Sequence, residues 1–125
     1  AAREIGRFTP VLSEGRSDGL SVRVPVPAGS LLDLTFLSPR QIDKESINQV
    51  LISAANEKEW EGILDVSKEP LVSGDIIGVS YGSTVDLSLT RTTGHLVKVM
   101  SWYDNEWGYC SMLLKHVQTI AKLIN

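Results

Sequence analysis

Nine consecutive residues, Ser101 to Tyr109, hold two of the three Trp and two of the three Tyr, together with Asp104, Asn105 and Glu106. They lie where a strand pattern gives way to a helix pattern. Upstream, His95 to Tyr103 carries apolar residues on both faces, Val97 and Val99 against Leu96, Met100 and Trp102, and so predicts a central strand. Downstream, Cys110, Leu113, Leu114, Val117, Ala121 and Ile124 recur at helical spacing, which predicts a helix from Glu106 to Ile124. A central strand feeding a long helix commits the chain to a sheet with helices packed on it. Such junctions also hold polar groups on a rigid scaffold, where small-ligand sites are often built.

The rest of the chain supplies the partners of that strand. Ala1 to Phe8 reads as a short helix ended by Pro10, and Ser13 to Gly19 as a polar turn. Leu20, Val22, Val24 and Val26 alternate with Ser21, Arg23 and Pro25, a half-buried strand pattern. After Ala28-Gly29-Ser30, a second strand puts Leu32, Leu34 and Phe36 on one side and Asp33 and Thr35 on the other. Paired as an antiparallel hairpin, the two strands would set Arg23 nearly opposite Asp33. Asp43 to Glu57 predicts a helix capped by Asp43, with Ile42 and Ile47 at the staple positions and Ile47, Val50, Leu51, Ala54 and Ala55 as its apolar stripe. Gly62 to Val66 reads as a short strand, Pro70 to Gly78 as irregular, Val85 to Leu89 as a one-sided strand, and Arg91 to Gly94 as a turn. Short connections favour antiparallel pairing. The fold class expected is α+β: an antiparallel or mixed sheet with helices on one face and a C-terminal helix. The opposite face would carry Arg23, Asp33, Thr35, Asp86 and Ser88.

Composition narrows the function classes. The chain has 125 residues, 42% hydrophobic and 22% charged, with net charge −3, as expected of a single globular domain. Without a basic stripe, nucleic acid is not expected as a partner. No apolar stretch approaches the roughly 18 residues of a membrane-spanning helix, and no signal-peptide pattern opens the chain. One Cys cannot form an internal disulfide, which fits a reducing compartment such as the cytoplasm. The opening residues read as helix interior without an initiator Met, so a fragment or a trimmed domain is expected.

Three segments, in order, carry a resemblance: Ser21-Val22-Arg23-Val24-Pro25-Val26-Pro27 with Leu32-Asp33-Leu34-Thr35; Glu61-Gly62-Ile63-Leu64; and Lys98-Val99-Met100-Ser101 running on to Tyr109. Together they resemble the catalytic domain of the phosphorylating glyceraldehyde-3-phosphate dehydrogenases, over nearly the whole chain. The resemblance implies an NAD-dependent enzyme that oxidises a triose phosphate and traps the product with inorganic phosphate, as glycolysis requires. NADP is not excluded, because the residues that read the ribose belong to another part of the family's fold. In that family a Cys thiolate in a Ser-Cys-Thr-Thr-Asn run forms a thiohemiacetal, a His acts as base, and hydride passes to the nicotinamide. Neither that run nor a strand followed by Gly-x-Gly-x-x-Gly occurs here. Residues 1–125 are therefore expected to be the C-terminal portion of the catalytic domain, inactive alone, with Ala1-Ala2 as the tail of a Thr-Gly-Ala-Ala stretch. The implied partners are triose phosphate, inorganic phosphate, the missing dinucleotide-binding domain and further copies in a homotetramer.

Each candidate residue also has a plainer reading. Arg23 matches the family's phosphate-contacting Arg, and a guanidinium fork suits phosphate oxygens; alternatively it forms a cross-strand pair with Asp33. Asn105 matches the Asn that bonds the nicotinamide carboxamide, since one amide complements another; alternatively it caps the last helix. Tyr109 matches an aromatic near the nicotinamide, with core packing as the alternative. Tyr103 is read as ordering the junction, and Trp102 and Trp107 as core anchors. Cys110, on the apolar stripe and outside a Cys-Thr-Thr context, reads as a buried, inert thiol rather than a nucleophile. His95 and His116 have no ligand partners at metal spacing, so no metal site is expected. One departure stands out: Tyr81-Gly82-Ser83 occupies the place where the family commonly has His-Ser-Ser. A relative acting on erythrose 4-phosphate is the alternative enzyme, disfavoured by Tyr103 where that group is expected to have Cys. A non-catalytic binding or assembly module on the same scaffold is the alternative outside enzymes.

Overall fold

The computed structural model describes residues 17–124. The helix expected over Ala1 to Phe8, the Pro10 break, the start of the Ser13 to Gly19 turn and the Ala1-Ala2 tail lie outside the described residues. Among the described residues five strands form one mixed sheet: β1 (Ser30–Leu37), β2 (Leu64–Ser67), β3 (Ser83–Asp86), β4 (Arg91–Thr93) and β5 (Leu96–Tyr103). Three α-helices among those residues accompany them: α1 (Lys44–Ala55), the single turn α2 (Ser73–Ile76) and α3 (Trp107–Ile124). The α+β class with a C-terminal helix stands.

β5 is the central strand, as its two-sided pattern requires. It pairs antiparallel with β1 over its full length, from Ser30 opposite Tyr103 to Leu37 opposite Leu96. Its other edge is shared by β3, through Thr84 opposite Trp102, and by β4, through Arg91 opposite Lys98. β2 joins β3 in parallel. The Arg91 to Gly94 turn is therefore shorter than expected: Arg91–Thr93 is a strand, and Gly94-His95 closes a two-residue hairpin onto β5.

Alternation sets the core. Val97 and Val99 are buried on the same side as Val85, and α1 lays Ile47, Leu51 and Ile52 across them. Each valine buried there contributes roughly 1.5–3 kcal/mol relative to exposure. α1 begins as the sequence indicates: the Asp43 carboxylate accepts the Ser46 N–H at 2.7 Å, and Asn48 Nδ2 ties the helix to the Leu87 carbonyl at 3.1 Å.

Five expectations need correction. Residues 20–26 form no strand, and Leu20 stays 85% exposed; alternation builds a strand only where a partner edge accepts it. β1 pairs instead with β5, so the Arg23–Asp33 hairpin contact does not form and Asp33 binds Lys98. The strand expected through Leu89 stops at Asp86, where the chain turns into a 3-10 helix over Leu87–Leu89. Asp86 is 0% exposed rather than on an open face. Its carboxylate caps that turn, accepting the Ser88 N–H and Oγ and the Leu71 N–H. The segment 70–78, expected to be irregular, contains α2, and the buried Ile76 anchors it.

Candidate nicotinamide and phosphate site

The site is built at the end of β5, where the chain leaves the sheet. Asp104 follows the strand directly and is only 5% exposed. Its Oδ1 accepts the N–H groups of Glu106 at 2.9 Å and Trp107 at 2.7 Å, an Asx-type closure onto the first turn of α3. Its Oδ2 accepts the Gly78 N–H at 3.0 Å, reaching the loop after α2. These bonds from Gly78, Trp107 and Glu106 hold the Asp104 carboxyl below its ordinary value, outweighing the opposing effect of burial. The Asp43 carboxyl is likewise lowered by the N–H and side chain of Ser46. At Asp86 burial pushes upward, yet bonds from Ser88, Leu71 and Leu89 leave the carboxyl below its usual range.

The sequence reading overlooked Asp104 in favour of its neighbour. The capping role considered for Asn105 belongs to Asp104, and the detectable signal was an Asp two and three residues ahead of the first helical N–H groups. Asn105, released from that duty, is exposed at the turn. Gly108 is buried on the inner side of α3, and a Cβ there would sit 3.0 Å from the Tyr81 carbonyl oxygen, so the helix starts hard against loop 79–82. Trp107 is not a core anchor: it is exposed, and its Nε1 donates to Ser80 Oγ at 3.2 Å. Trp102 is half-buried on the sheet. Tyr103 is partly exposed at the sheet edge opposite Ser30. Tyr109, four residues beyond Asn105, is 67% exposed.

Asn105, in the turn before α3, and Tyr109, in its first turn, are therefore both exposed. Arg23 is exposed in the segment before β1. That segment meets the body at Gly29, whose backbone passes so close to Ser73 that a Cβ would lie 3.2 Å from its carbonyl oxygen. Among the described residues Asp33 pairs with Lys98, not Arg23, and no hydrogen bond or ion pair joins Arg23 to Asn105 or Tyr109. The open depression lined by Arg40, Ile42, Asp43, Thr92 and Gly94 contains none of these residues.

Helix α3 reverses one further expectation. Gly108, Ser111, Met112 and Lys115 are its least exposed positions, whereas Leu113, Leu114, Val117 and Ile124 are exposed. Cys110 shares that outward exposure and is a free thiol, not a buried one. An apolar strip is thus left open along α3. Among the described residues no cluster of three His, Cys, Asp or Glu side chains is placed to hold a metal ion, and no helix is long and apolar enough to cross a membrane.

Comparison with known proteins gives this geometry its setting. The profile of the glyceraldehyde 3-phosphate dehydrogenase C-terminal domain matches residues 1–105. Similar proteins include the glyceraldehyde-3-phosphate dehydrogenase of Zymomonas mobilis, 41% identical over 99% of this chain and 37% of its own length. The chromosomal enzyme of Cupriavidus necator is 45% identical over 97% of this chain and 35% of its own length. That of Borreliella burgdorferi is 42% identical over 98% and 37%. The chain thus spans little more than a third of the length of these relatives. A domain profile covering residues 1–105, an α+β sheet with a terminal helix, and identity of 41–45% over nearly the whole chain place the chain in the glyceraldehyde 3-phosphate dehydrogenase family, as a C-terminal domain.

Proposed function

We propose that this chain supplies the phosphate-binding and nicotinamide-holding residues of an NAD-dependent dehydrogenase converting glyceraldehyde 3-phosphate and inorganic phosphate to 1,3-bisphosphoglycerate. The observation that carries this reading is the presentation of Asn105. Its carboxamide is exposed directly after a buried Asp104 whose three backbone bonds fix the turn. A carboxamide offers one donor and one acceptor and so complements the nicotinamide amide, choosing the ring face presented. Tyr109 stands in the first turn of α3 with its ring open to pack beside that group. Arg23 offers a donor fork to a phosphate oxygen pair. When bound, a dinucleotide would supply the hydride acceptor; Asn105 and Tyr109 would orient it and Arg23 would hold the anion. NAD is the cofactor of this reading, with NADP as the alternative.

The reading extends to partners and place. The exposed strip of α3 suits docking against a dinucleotide-binding domain. Asp33, Thr35 and Lys98, on the sheet face away from α1, suit contact with another copy in a homo-oligomer; Asp86, being buried, has no part in it. A reducing cytoplasm fits the exposed free thiol of Cys110.

Steady-state kinetics on the full-length protein test the reading. Formation of reduced nicotinamide should require both aldehyde and inorganic phosphate. Arg23→Leu should raise the KM for triose phosphate or phosphate roughly 10–100-fold, the scale of a lost charge-assisted hydrogen bond, with dinucleotide binding nearly intact. Equal loss of both would identify Arg23 as structural. A full-length protein that assembles but shows no such turnover would instead support a non-catalytic module.

A further inference from the structure

The Asp104 carboxylate reaches in two directions. One oxygen closes the first turn of α3; the other crosses to Gly78, 26 residues away in sequence. Gly78 belongs to a loop that is itself fixed. The buried Ile76 anchors it in the core, and the Asp75 carboxylate accepts the Val72 N–H at 2.8 Å, closing α2. The residue between the two halves of this clamp is Asn105. It is exposed, and among the described residues its side chain has no hydrogen bond of its own.

We infer that Asp104 is a positioning residue for the dinucleotide, acting through Asn105: by tying the turn to the Gly78 loop it fixes where the Asn105 carboxamide points. This deepens the functional reading above and rests on it. A side chain with no bonds of its own takes its direction from its backbone, and the Asp104 clamp is what holds that backbone against both α3 and the α2 loop. Misplacing a binding group by about 1 Å can cost on the order of 100-fold in rate. The Gly78 bond has no part in capping α3, so the two contributions of Asp104 can be separated.

Asp104→Asn separates them in the full-length protein. An Asn oxygen can still accept from Glu106 and Trp107, but its amide nitrogen would face the Gly78 N–H, donor against donor. The dinucleotide dissociation constant, read by calorimetry without substrate, should rise about 5–20-fold and the dinucleotide KM with it, while the triose phosphate KM stays within about twofold, a selective misplacement of one binding group. In the Asn105→Ala background the same change should add no further loss, because two residues acting as one unit are not additive. Additive losses, or equal rises in both KM values, would make Asp104 merely structural and overturn the inference. Should Asp104→Asn fail to fold, Asp104→Ser carries the same test, since Ser caps helices well but offers no second acceptor for Gly78. An Asn105→Ala variant with unchanged dinucleotide KM would sink the reading of Asn105, and the inference with it. An Asn105→Ala defect without an Asp104→Asn defect would sink the inference alone.

Discussion

Lys98 Nζ donates to Asp33 Oδ2 at 2.7 Å, and the pair is diagonal: Asp33 stands opposite Met100, and Lys98 opposite Thr35. A lysine stem spans that diagonal, so Lys98 takes the carboxylate that the alternation of residues 20–26 assigns to Arg23. Both side chains are well exposed, which limits the pair to about 0.2–1 kcal/mol. Asp33→Ala and Lys98→Ala should each lower stability by less than about 1 kcal/mol, and about 1 M salt should shrink the loss. Urea unfolding at two ionic strengths measures it. A salt-independent loss above about 2 kcal/mol would mean that the ion pair is not the source of the effect. Asp33→Ala should leave the phosphate requirement of the full-length protein unchanged, since Asp33 does not hold Arg23.

Acid should weaken the fold through carboxylates that are hydrogen-bonded while charged. Asp104, Asp43 and Asp86 all titrate below the ordinary value of 3.8 when folded. Protons therefore bind the unfolded chain more readily, and these groups stabilise fully above about pH 5, losing their contribution as pH falls through and below about 4. The melting temperature should be flat from neutrality to about pH 5 and fall below it. Asp86→Asn should flatten that decline while lowering stability at neutral pH. Asp86→Ala should cost roughly 1.5–3 kcal/mol for each donor left unpaired at Leu71 and Ser88. A melting temperature that rises on acidification would contradict this.

Where an element carries its own period and its own cap, the sequence shows it. Asp43 and the Ile47 stripe locate α1 almost to the residue, and the two-sided run of β5 identifies the central strand. What stayed hidden depends on partners far away in the chain. Leu20, Val22 and Val24 alternate as a strand should, yet no described edge pairs with them. Asp104 and Asn105 look alike as helix caps, and only the Gly78 loop, contributed by a distant segment, distinguishes them. The stripe of α3 is legible as apolar, but its direction is not: periodicity gives a face without saying what lies opposite. Cys110 changes from buried to exposed for that reason alone.

The outward stripe of α3 yields a prediction that separates the two sides of one helix. Leu114→Gln and Val117→Gln remove exposed apolar groups, so the unfolding free energy of this chain should stay within about 0.5 kcal/mol. Met112→Ala, on the inner side against Gly82, should cost on the order of 1–2 kcal/mol, below the range for a fully buried methionine because Met112 is only half-buried. In the full-length protein the order should reverse for assembly, with the outward pair destabilising the attachment of α3. A large loss from Leu114→Gln in this chain would mean that the strip is already covered.

Gly82 and Met112 are matched in size. A Cβ at Gly82 would lie 3.0 Å from Met112 Sδ, 3.1 Å from its Cγ and 3.3 Å from the Ile63 carbonyl oxygen. The methionine can swing away, but the Ile63 carbonyl cannot, because it accepts the Ser83 N–H at 3.0 Å. Gly82→Ser gains roughly 0.4–1 kcal/mol by restricting the unfolded chain, and loses more to overpacking, which typically costs about 1–3 kcal/mol. The net effect is destabilising by about 1 kcal/mol. Shortening the methionine removes the two closest contacts, so Gly82→Ser should cost less in the Met112→Ala background than in the native chain, with a coupling of at least about 0.5 kcal/mol. Denaturant unfolding of the four proteins in that cycle measures the coupling directly. Strict additivity would show that Met112 yields freely and that the Ile63 carbonyl alone sets the limit on the side chain at position 82.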